Sequence, residues 1–305
     1  MPALRRTALV GALLSVLAAC TGNPSTSPST SDSAPSDSAP SSSAPPAERV
    51  YVSLGDSYAT GARPADAGGS GRDGFPYLVA ERSDLRLVNL ACSGATSGQL
   101  RGQAGCAANN RGPDAPDPAG RTQLDLAVQT LRENRGRIDL VTVVIGGNDL
   151  APCAQSGDAM GCASRAVAEI RTNLAVILPA LREAAGDARI VGLTYPDMFL
   201  GAWVSPAFPN GQDLARLSVS LFRDFFNTAL KAEYEKVGAE FVDITAATGG
   251  YEPLTEMTED PTYGQIPAPV AKACALTYFC ERTDVHPTPA GHDAIATAVL
   301  TAIGR

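Results

Sequence analysis

Five short apolar runs, separated by segments in which apolar residues have a helical spacing, organise the chain after residue 48. The clearest run, at 140–145, is rich in Val, as expected when helices cover both faces of a parallel strand. Because such runs alternate with helical patterns, the sequence predicts an α/β fold with a parallel, doubly wound sheet. The predicted strands are 49–54, 85–90, 140–145, 189–193 and 240–244.

Four helical patterns lie between or after these runs. The second contains Pro179, which is expected to kink it, and the last begins with Pro289, which suits a first helical turn. The third carries one apolar stripe, which consists of Leu214, Leu217, Leu221, Phe225 and Ala229. The predicted helices are 122–134, 163–184, 213–237 and 289–303.

The first 48 residues show neither pattern. Residues 1–20 have a charged start, an apolar stretch too short to span a bilayer, and Leu-Ala-Ala before Cys20. This resembles the lipobox of bacterial lipoproteins, which implies a cleaved signal peptide and a lipid on Cys20; an ordinary secretory signal is the alternative. Residues 21–48 are rich in Ser, Pro, Thr and Ala and predict a disordered tether to a domain at 49–305. We therefore expect an extracytoplasmic, cell-envelope protein that meets the membrane only through this lipid.

The net charge bears on the class of partner, and the cysteine content bears on disulfides and metal binding. The net charge of −8 argues against nucleic acid, which would require a basic patch. Apart from Cys20, the six cysteines are close sequence neighbours, and export would permit disulfides. Six cysteines allow fifteen pairings, of which we predict the local one because each pair lies within one predicted loop; a zinc site is the weaker alternative. The predicted pairs are Cys92–Cys106, Cys153–Cys162 and Cys274–Cys280.

Candidate chemistry follows the ends of the predicted strands. Ser57 lies just past the first strand, and a serine hydroxyl becomes a good nucleophile only when a base takes its proton. The chain has two histidines, His286 and His292. Gly94 and Asn148 follow the second and third strands, where a backbone or amide N–H could stabilise an oxyanion. In parallel sheets the carboxyl ends of strands meet at one edge, so these groups are expected to share a pocket.

Four short blocks carry a resemblance to the SGNH (GDSL-type) hydrolase family over residues 50–300. They are, in order, Gly55-Asp56-Ser57, Gly94, Gly147-Asn148-Asp149 and His286-Pro287. The resemblance implies a flavodoxin-like three-layer sandwich with a five-stranded parallel sheet, and a serine esterase or lipase without metal or organic cofactor. It implies Ser57 as nucleophile and His286 as base, with an oxyanion hole formed by the N–H groups of Ser57 and Gly94 and the Asn148 amide. The three local disulfides resemble the secreted esterase branch of the family.

One block departs from the family pattern of Asp-x-x-His-Pro. Thr283 stands three residues before His286, and Asp284 stands only two before it. Either the local backbone bends to bring Asp284 to the imidazole as the third catalytic residue, or a main-chain carbonyl orients the histidine instead.

The sequence leaves the substrate and the roles of several residues open. The substrate could be a short acyl ester, a lipid or an acetylated carbohydrate, so a polysaccharide O-acetylesterase is the nearest alternative. A non-catalytic, ligand-binding envelope lipoprotein is a further alternative, against which the intact Ser57–His286 pair argues. We expect Asp56 to bond neighbouring amides, and His292 to be a solvated or capping residue. Three aromatic residues are candidates for substrate contact, with core packing expected for at least one: Tyr58, Tyr195 and Trp203.

Overall fold

A parallel sheet of five strands lies at the centre of the computed structural model, which describes residues 48–305 except for the side chains of residues 154 and 155. The expected signal peptide, Cys20 and nearly all of the expected tether lie outside the described residues. The strand order is β2-β1-β3-β4-β5. This confirms the predicted α/β class with a five-stranded parallel sheet. The strands are β1 Val50–Gly55, β2 Arg86–Asn89, β3 Ile138–Val144, β4 Arg189–Leu193 and β5 Glu240–Val242.

The two middle strands are buried because their residues are apolar on both faces. Every residue of β1 is buried, and in β3 only Asp139 is partly exposed. The polar groups within these strands are paired with each other: the Tyr51 hydroxyl and the Thr142 hydroxyl lie 2.7 Å apart. Strand β5 ends two residues before its predicted end because the Asp243 carboxylate accepts the Ala246 N–H and begins a helix.

Helices cover the sheet in two groups, one containing α3, α4, α6 and α8 and the other containing α2, α10 and α12. A two-stranded antiparallel hairpin, β6 Met257–Asp260 and β7 Gly264–Pro267, lies outside the main sheet. The helices are α1 Ser57–Thr60, α2 Phe75–Ser83, α3 Ser97–Gly102, α4 Gln123–Glu133, α5 Gly147–Leu150, α6 Ala159–Ala185, α7 Gly211–Ser220, α8 Asn227–Glu235, α9 Ile244–Ala247, α10 Ala268–Leu276, α11 Phe279–Arg282 and α12 Pro289–Ala302. Within residues 48–305, no helix is both long and apolar enough to cross a bilayer.

The helix predicted at 213–237 contains a π-helical segment that the sequence pattern does not predict. A π-helical segment, Leu221–Phe226, separates α7 from α8. The wider i→i+5 turn shifts the helical register, so a stripe drawn with α-helical spacing no longer follows the buried face. The buried positions are Phe222, Phe226 and Leu230, whereas Leu217 of the predicted stripe is 45% exposed. The predicted helical pattern is therefore present from Gly211 to Glu235, but the predicted stripe is wrong, because Leu221, Phe225 and Ala229 are only partly buried.

Three disulfides join the local cysteine pairs: Cys92–Cys106, Cys153–Cys162 and Cys274–Cys280. These are the pairings that the spacing predicts. Because the six sulfurs are bonded to one another, they are not available as thiolate ligands, and the zinc alternative for these cysteines is wrong.

The turn after β1 requires glycine at residue 55. Gly55 has φ +138, and a Cβ at this position would overlap the Val144 carbonyl oxygen of β3. We predict that Gly55→Ala lowers the free energy of unfolding by about 3 kcal/mol, because it adds backbone strain and a steric clash. Urea unfolding measures the change. Gly102→Ala is the matched control, because a Cβ there meets no atom within 4 Å. Equal losses in the two variants would contradict the steric argument.

A buried carboxyl group connects the end of β4 to α7. The Ser218 hydroxyl donates to Asp197 Oδ2 at 2.7 Å, and the Phe199 N–H donates to Oδ1 at 3.1 Å. Burial raises the pKa of Asp197 to about 7, although the Ser218 hydrogen bond opposes the shift. The folded protein therefore holds this proton more tightly than the unfolded chain does.

The stability that Asp197 contributes should be complete below pH ~4 and lost as the pH rises towards 7. Asp197→Asn removes this titration. We predict that the melting temperature of the variant, relative to wild type, rises as the pH is raised from ~4 to ~8. Calorimetry across that range measures it, with Asp187→Asn at an exposed turn as control. A constant offset for the Asp197 variant would contradict the prediction.

Candidate active site

The candidate nucleophile Ser57 lies at a tightly held turn after β1. Ser57 is the first residue of α1 and is 8% exposed. The Asp56 carboxylate caps this helix, because Oδ1 accepts the Tyr58 N–H at 3.0 Å, as its predicted role requires. The Gln123 side chain bonds both backbone groups of Gly55, the last residue of β1. Its Oε1 accepts the Gly55 N–H at 2.6 Å, and its Nε2 donates to the Gly55 carbonyl at 3.1 Å.

The candidate oxyanion donors come from the turns after β1, β2 and β3. Within residues 48–305, neither the Ser57 N–H nor the Gly94 N–H donates to another protein atom. Gly94 has φ +82, and a Cβ there would meet nothing within 4 Å, so the approach to its N–H is open. Asn148 Nδ2 donates one hydrogen to the carbonyl of Ala95 at 3.0 Å, which fixes the amide beside Gly94 and leaves its second N–H available.

A carboxylate also fixes the Asn148 turn to α3. Asp149 accepts the Ser97 N–H at 2.8 Å through Oδ2 and the Ser97 hydroxyl at 2.6 Å through Oδ1. Burial raises the pKa of Asp149, while the two Ser97 hydrogen bonds oppose that shift. The segments that carry Gly94 and Asn148 are thus joined by two separate sets of bonds.

The displaced acid Asp284 does reach the histidine. Asp284 Oδ1 lies 2.7 Å from His286 Nδ1 and also accepts the His286 backbone N–H at 2.9 Å. Thr283 has φ +53, a left-handed conformation that turns the chain tightly before Asp284. Of the two alternatives left open by the sequence, the structure has the bent backbone with the carboxylate at Nδ1.

The segments of Ser57 and His286, which are 229 residues apart in sequence, are joined by their neighbours. The Tyr58 hydroxyl donates to the Val285 carbonyl at 2.5 Å. The ring centroids of Tyr58 and His286 are 6.4 Å apart. The residue after Ser57 therefore contacts the residue before His286, and the structure brings together all the predicted catalytic and oxyanion segments.

An apolar cavity of about 150 Å³ opens beside Ser57 and Asn148. Leu214, Leu217 and Leu221 line it, and Leu214 also packs against the core. Of the three aromatic candidates for substrate contact, Tyr58 and Tyr195 also line this cavity and are almost fully buried. Trp203 does not; its ring lies beneath the Arg216 guanidinium, 4.9 Å from the ring centroid.

A second, polar cavity of about 540 Å³ lies on the Gly94 side. It shares no lining residue with the apolar cavity. The Cys92–Cys106 disulfide forms part of its wall, together with Arg111 and Arg121.

His292 has a different environment from the one the sequence predicts. It is fully buried in α12, and its Nδ1 accepts the Phe75 N–H at 3.3 Å. Burial, with a contribution from the Arg63 charge, lowers the pKa of His292 to about 4. The prediction of a solvated or capping residue is wrong, because α12 packs this face against α2. His292 is a neutral core residue.

Asp149 and Tyr195 make structural hydrogen bonds within the site that the sequence analysis did not assign to them. The Tyr195 hydroxyl donates to Asp56 Oδ2 at 2.6 Å and accepts the Gly147 N–H at 2.9 Å. Burial raises the pKa of Asp56 to about 7, while the Tyr195 hydrogen bond opposes that shift. A signal was present, since Tyr195 follows β4 by two residues, as Ser57 follows β1.

Comparison with known proteins finds one family and two similar structures. The model of the GDSL-like lipase/acylhydrolase family matches residues 53–294. An extracellular lipase from Streptomyces rimosus has a similar structure, with a TM-score of 0.55 and 20% identity, covering 83% of this chain and 99% of that one. A phospholipase A1 from Streptomyces albidoflavus is also similar, with a TM-score of 0.54 and 19% identity, covering 84% of this chain and 100% of that one.

At these identities the two structures show a shared fold, and a comparison with curated proteins finds no match. The family match spans most of the chain. The protein belongs to the GDSL-like lipase/acylhydrolase family and is a carboxylic ester hydrolase.

Proposed function

We propose that the protein is a serine esterase that cleaves carboxylic esters through an acyl-enzyme on Ser57. His286 is the general base, and Asp284 orients it. The observation that carries the proposal is the 2.7 Å contact between Asp284 Oδ1 and His286 Nδ1, on a segment bonded to the residue after Ser57. Because Nδ1 is bonded to Asp284, the other ring nitrogen, Nε2, is the one that accepts the proton of Ser57.

In the first half of the reaction, Ser57 Oγ attacks the ester carbonyl carbon while His286 Nε2 takes the hydroxyl proton. The imidazolium then gives this proton to the oxygen of the departing alcohol, and the acyl group remains on Ser57. In the second half, water attacks the acyl-enzyme while His286 Nε2 takes a proton from it, and the imidazolium then gives that proton to Ser57 Oγ as the carboxylic acid leaves. Asp284 stabilises the imidazolium in both halves and keeps the proton on Nδ1.

The negative charge that forms on the carbonyl oxygen requires preorganised donors. Three candidates support this step: the Ser57 N–H, the Gly94 N–H and the second N–H of the Asn148 amide. The first two make no other hydrogen bond within residues 48–305, so no bond must break before they bind the oxyanion.

The apolar cavity beside Ser57 supports a substrate with an apolar acyl chain. Its volume of about 150 Å³ matches that of a cavity able to hold benzene, so an acyl chain of roughly six carbons would fit. A second candidate, a polysaccharide O-acetylesterase, is favoured by the polar cavity beside Gly94, which could take a carbohydrate alcohol. A non-catalytic binding protein is not favoured, because binding alone has no need of a histidine oriented by a carboxylate.

The domain organisation is also part of the proposal. Three disulfides indicate an extracytoplasmic protein. A lipoprotein signal at 1–20, a lipid on Cys20 and a tether at 21–48 would keep the hydrolase domain at the cell envelope.

The catalytic assignment predicts three losses of activity. Ser57→Ala and His286→Ala should each lower kcat by about 10⁴-fold or more, and Asp284→Asn by about 10²- to 10⁴-fold with little change in KM. Hydrolysis of p-nitrophenyl butyrate by the purified protein measures each effect. Ser220→Ala, at an exposed position in α7, is the control and should keep wild-type turnover. A Ser57→Ala variant with wild-type activity would contradict the assignment.

The acyl preference follows from the size of the cavity. We predict that kcat/KM is highest for p-nitrophenyl esters with acyl chains of about four to eight carbons, because these fill the apolar volume. Ala163 lines the cavity, so Ala163→Phe should reduce hydrolysis of the hexanoate more than that of the acetate. Maximal kcat/KM for acetate, with rapid release of acetate from acetylated polysaccharide, would support the second candidate instead.

A further inference from the structure

One tyrosine hydroxyl joins the two turns that carry the candidate catalytic groups. Tyr195 follows β4, the strand next to β3, and is 2% exposed. Its hydroxyl donates to Asp56 Oδ2 at 2.6 Å and accepts the Gly147 N–H at 2.9 Å. Asp56 directly precedes Ser57, and Gly147 directly precedes Asn148. A single oxygen atom therefore bridges the nucleophile turn and the oxyanion turn.

Both ends of Tyr195 are held in place. Its carbonyl oxygen accepts the Thr245 hydroxyl at 2.7 Å. The Tyr58 ring contacts it edge-on with centroids 4.8 Å apart, and the Phe226 ring stacks with centroids 6.3 Å apart. The backbone of Tyr195 is thus fixed at the end of β4, and its ring is packed between Phe226 and Tyr58, the residue after Ser57.

The approach of the Asn148 turn to this ring depends on glycine. A Cβ at Gly147 would lie only 3.0 Å from Tyr195 Cζ. The absence of a side chain lets the backbone N–H reach the hydroxyl. The bridge is thus a close fit between three neighbouring strand ends, those of β1, β3 and β4.

We propose that Tyr195 is a positioning residue for the proposed reaction, whose hydroxyl bridge from Asp56 to Gly147 sets the separation between Ser57 and the Asn148 amide. The proposal rests on the proposed function. Catalysis by oxyanion stabilisation depends on donors fixed where charge develops, and a displacement of about 1 Å can cost about 10²-fold in rate. Tyr195 itself contacts neither the reacting oxygen nor the proton in this scheme.

Tyr195→Phe removes the hydroxyl and keeps the ring packing. For hydrolysis of p-nitrophenyl butyrate by the whole protein, kcat should fall about 10- to 100-fold while KM stays within about twofold. Affinity for butylboronic acid, whose tetrahedral adduct with a serine mimics the transition state, should fall by a similar factor. The fall should be absent for a ground-state ligand such as butyramide.

Tyr51→Phe is the matched control for the loss of a buried hydroxyl. Tyr51 is fully buried and its hydroxyl lies 2.7 Å from that of Thr142, within the sheet and outside the cavity lining. It should lower the melting temperature about as much as Tyr195→Phe does, and leave kcat and boronic acid affinity unchanged. If Tyr195→Phe lowered only the melting temperature, as the control does, the proposal would be overturned.

A double-mutant cycle tests whether Tyr195 affects kcat through the Asn148 amide. If Tyr195 acts through Asn148, adding Tyr195→Phe to Asn148→Ala should lower kcat by less than threefold further, because the donor that it positions is already absent. If the two losses simply multiplied, the positioning role would be overturned.

Asp56→Asn is a second variant that alters the bridge, and it can be measured even if Tyr195→Phe is insoluble. We expect it to lower kcat at constant KM. An unchanged kcat in this variant would overturn the role of the bridge.

The Ser57→Ala variant distinguishes a failure of the proposed function from a failure of the inference on Tyr195. Wild-type hydrolysis that Ser57→Ala abolishes is the reference for all variants. Retained activity in Ser57→Ala would remove the proposed function, whereas wild-type kcat in Tyr195→Phe beside an inactive Ser57→Ala would remove only the inference on Tyr195.

Discussion

The hydrogen bond from the Tyr58 hydroxyl to the Val285 carbonyl closes the candidate site, because it joins the first turn of the domain to a segment near its C-terminal end. Parallel strands bring the turns that carry Ser57, Gly94 and Asn148 to one edge of the sheet. They do not bring His286 there, since it follows no strand of the main sheet. The histidine depends on this contact and on the local turn that places its carboxylate partner.

The fold and the main site residues could be predicted because their signals are local. Each strand of the central sheet is a short apolar run, and predicted bounds agree with the structure within about two residues. Three of the four blocks, those of Ser57, Gly94 and Asn148, stand a few residues past a strand end. The cysteine pairs are close in sequence, so loop length alone favoured the pairing that is present.

The features that sequence reasoning missed depend on packing between distant segments. The π-helical segment at Leu221–Phe226 has an ordinary helical composition, and residues of this segment line the apolar cavity beside Ser57. His292 has the spacing of a residue in a first helical turn, but α2 covers it. The hydrogen bond of Asp284 to His286 requires a left-handed Thr283, which no propensity of threonine predicts. The Tyr195 bridge likewise joins three strand ends that are adjacent only in the folded sheet.

The central claim is that Ser57 is a nucleophile activated by His286, and covalent trapping tests it most directly. A fluorophosphonate reacts far faster with an activated serine than with an ordinary hydroxyl group, and peptide mass spectrometry locates the adduct. We predict one equivalent of label per protein, on Ser57, and loss of labelling in His286→Ala while the variant remains folded. Label on another residue, or full labelling of Ser57 without His286, would contradict the account.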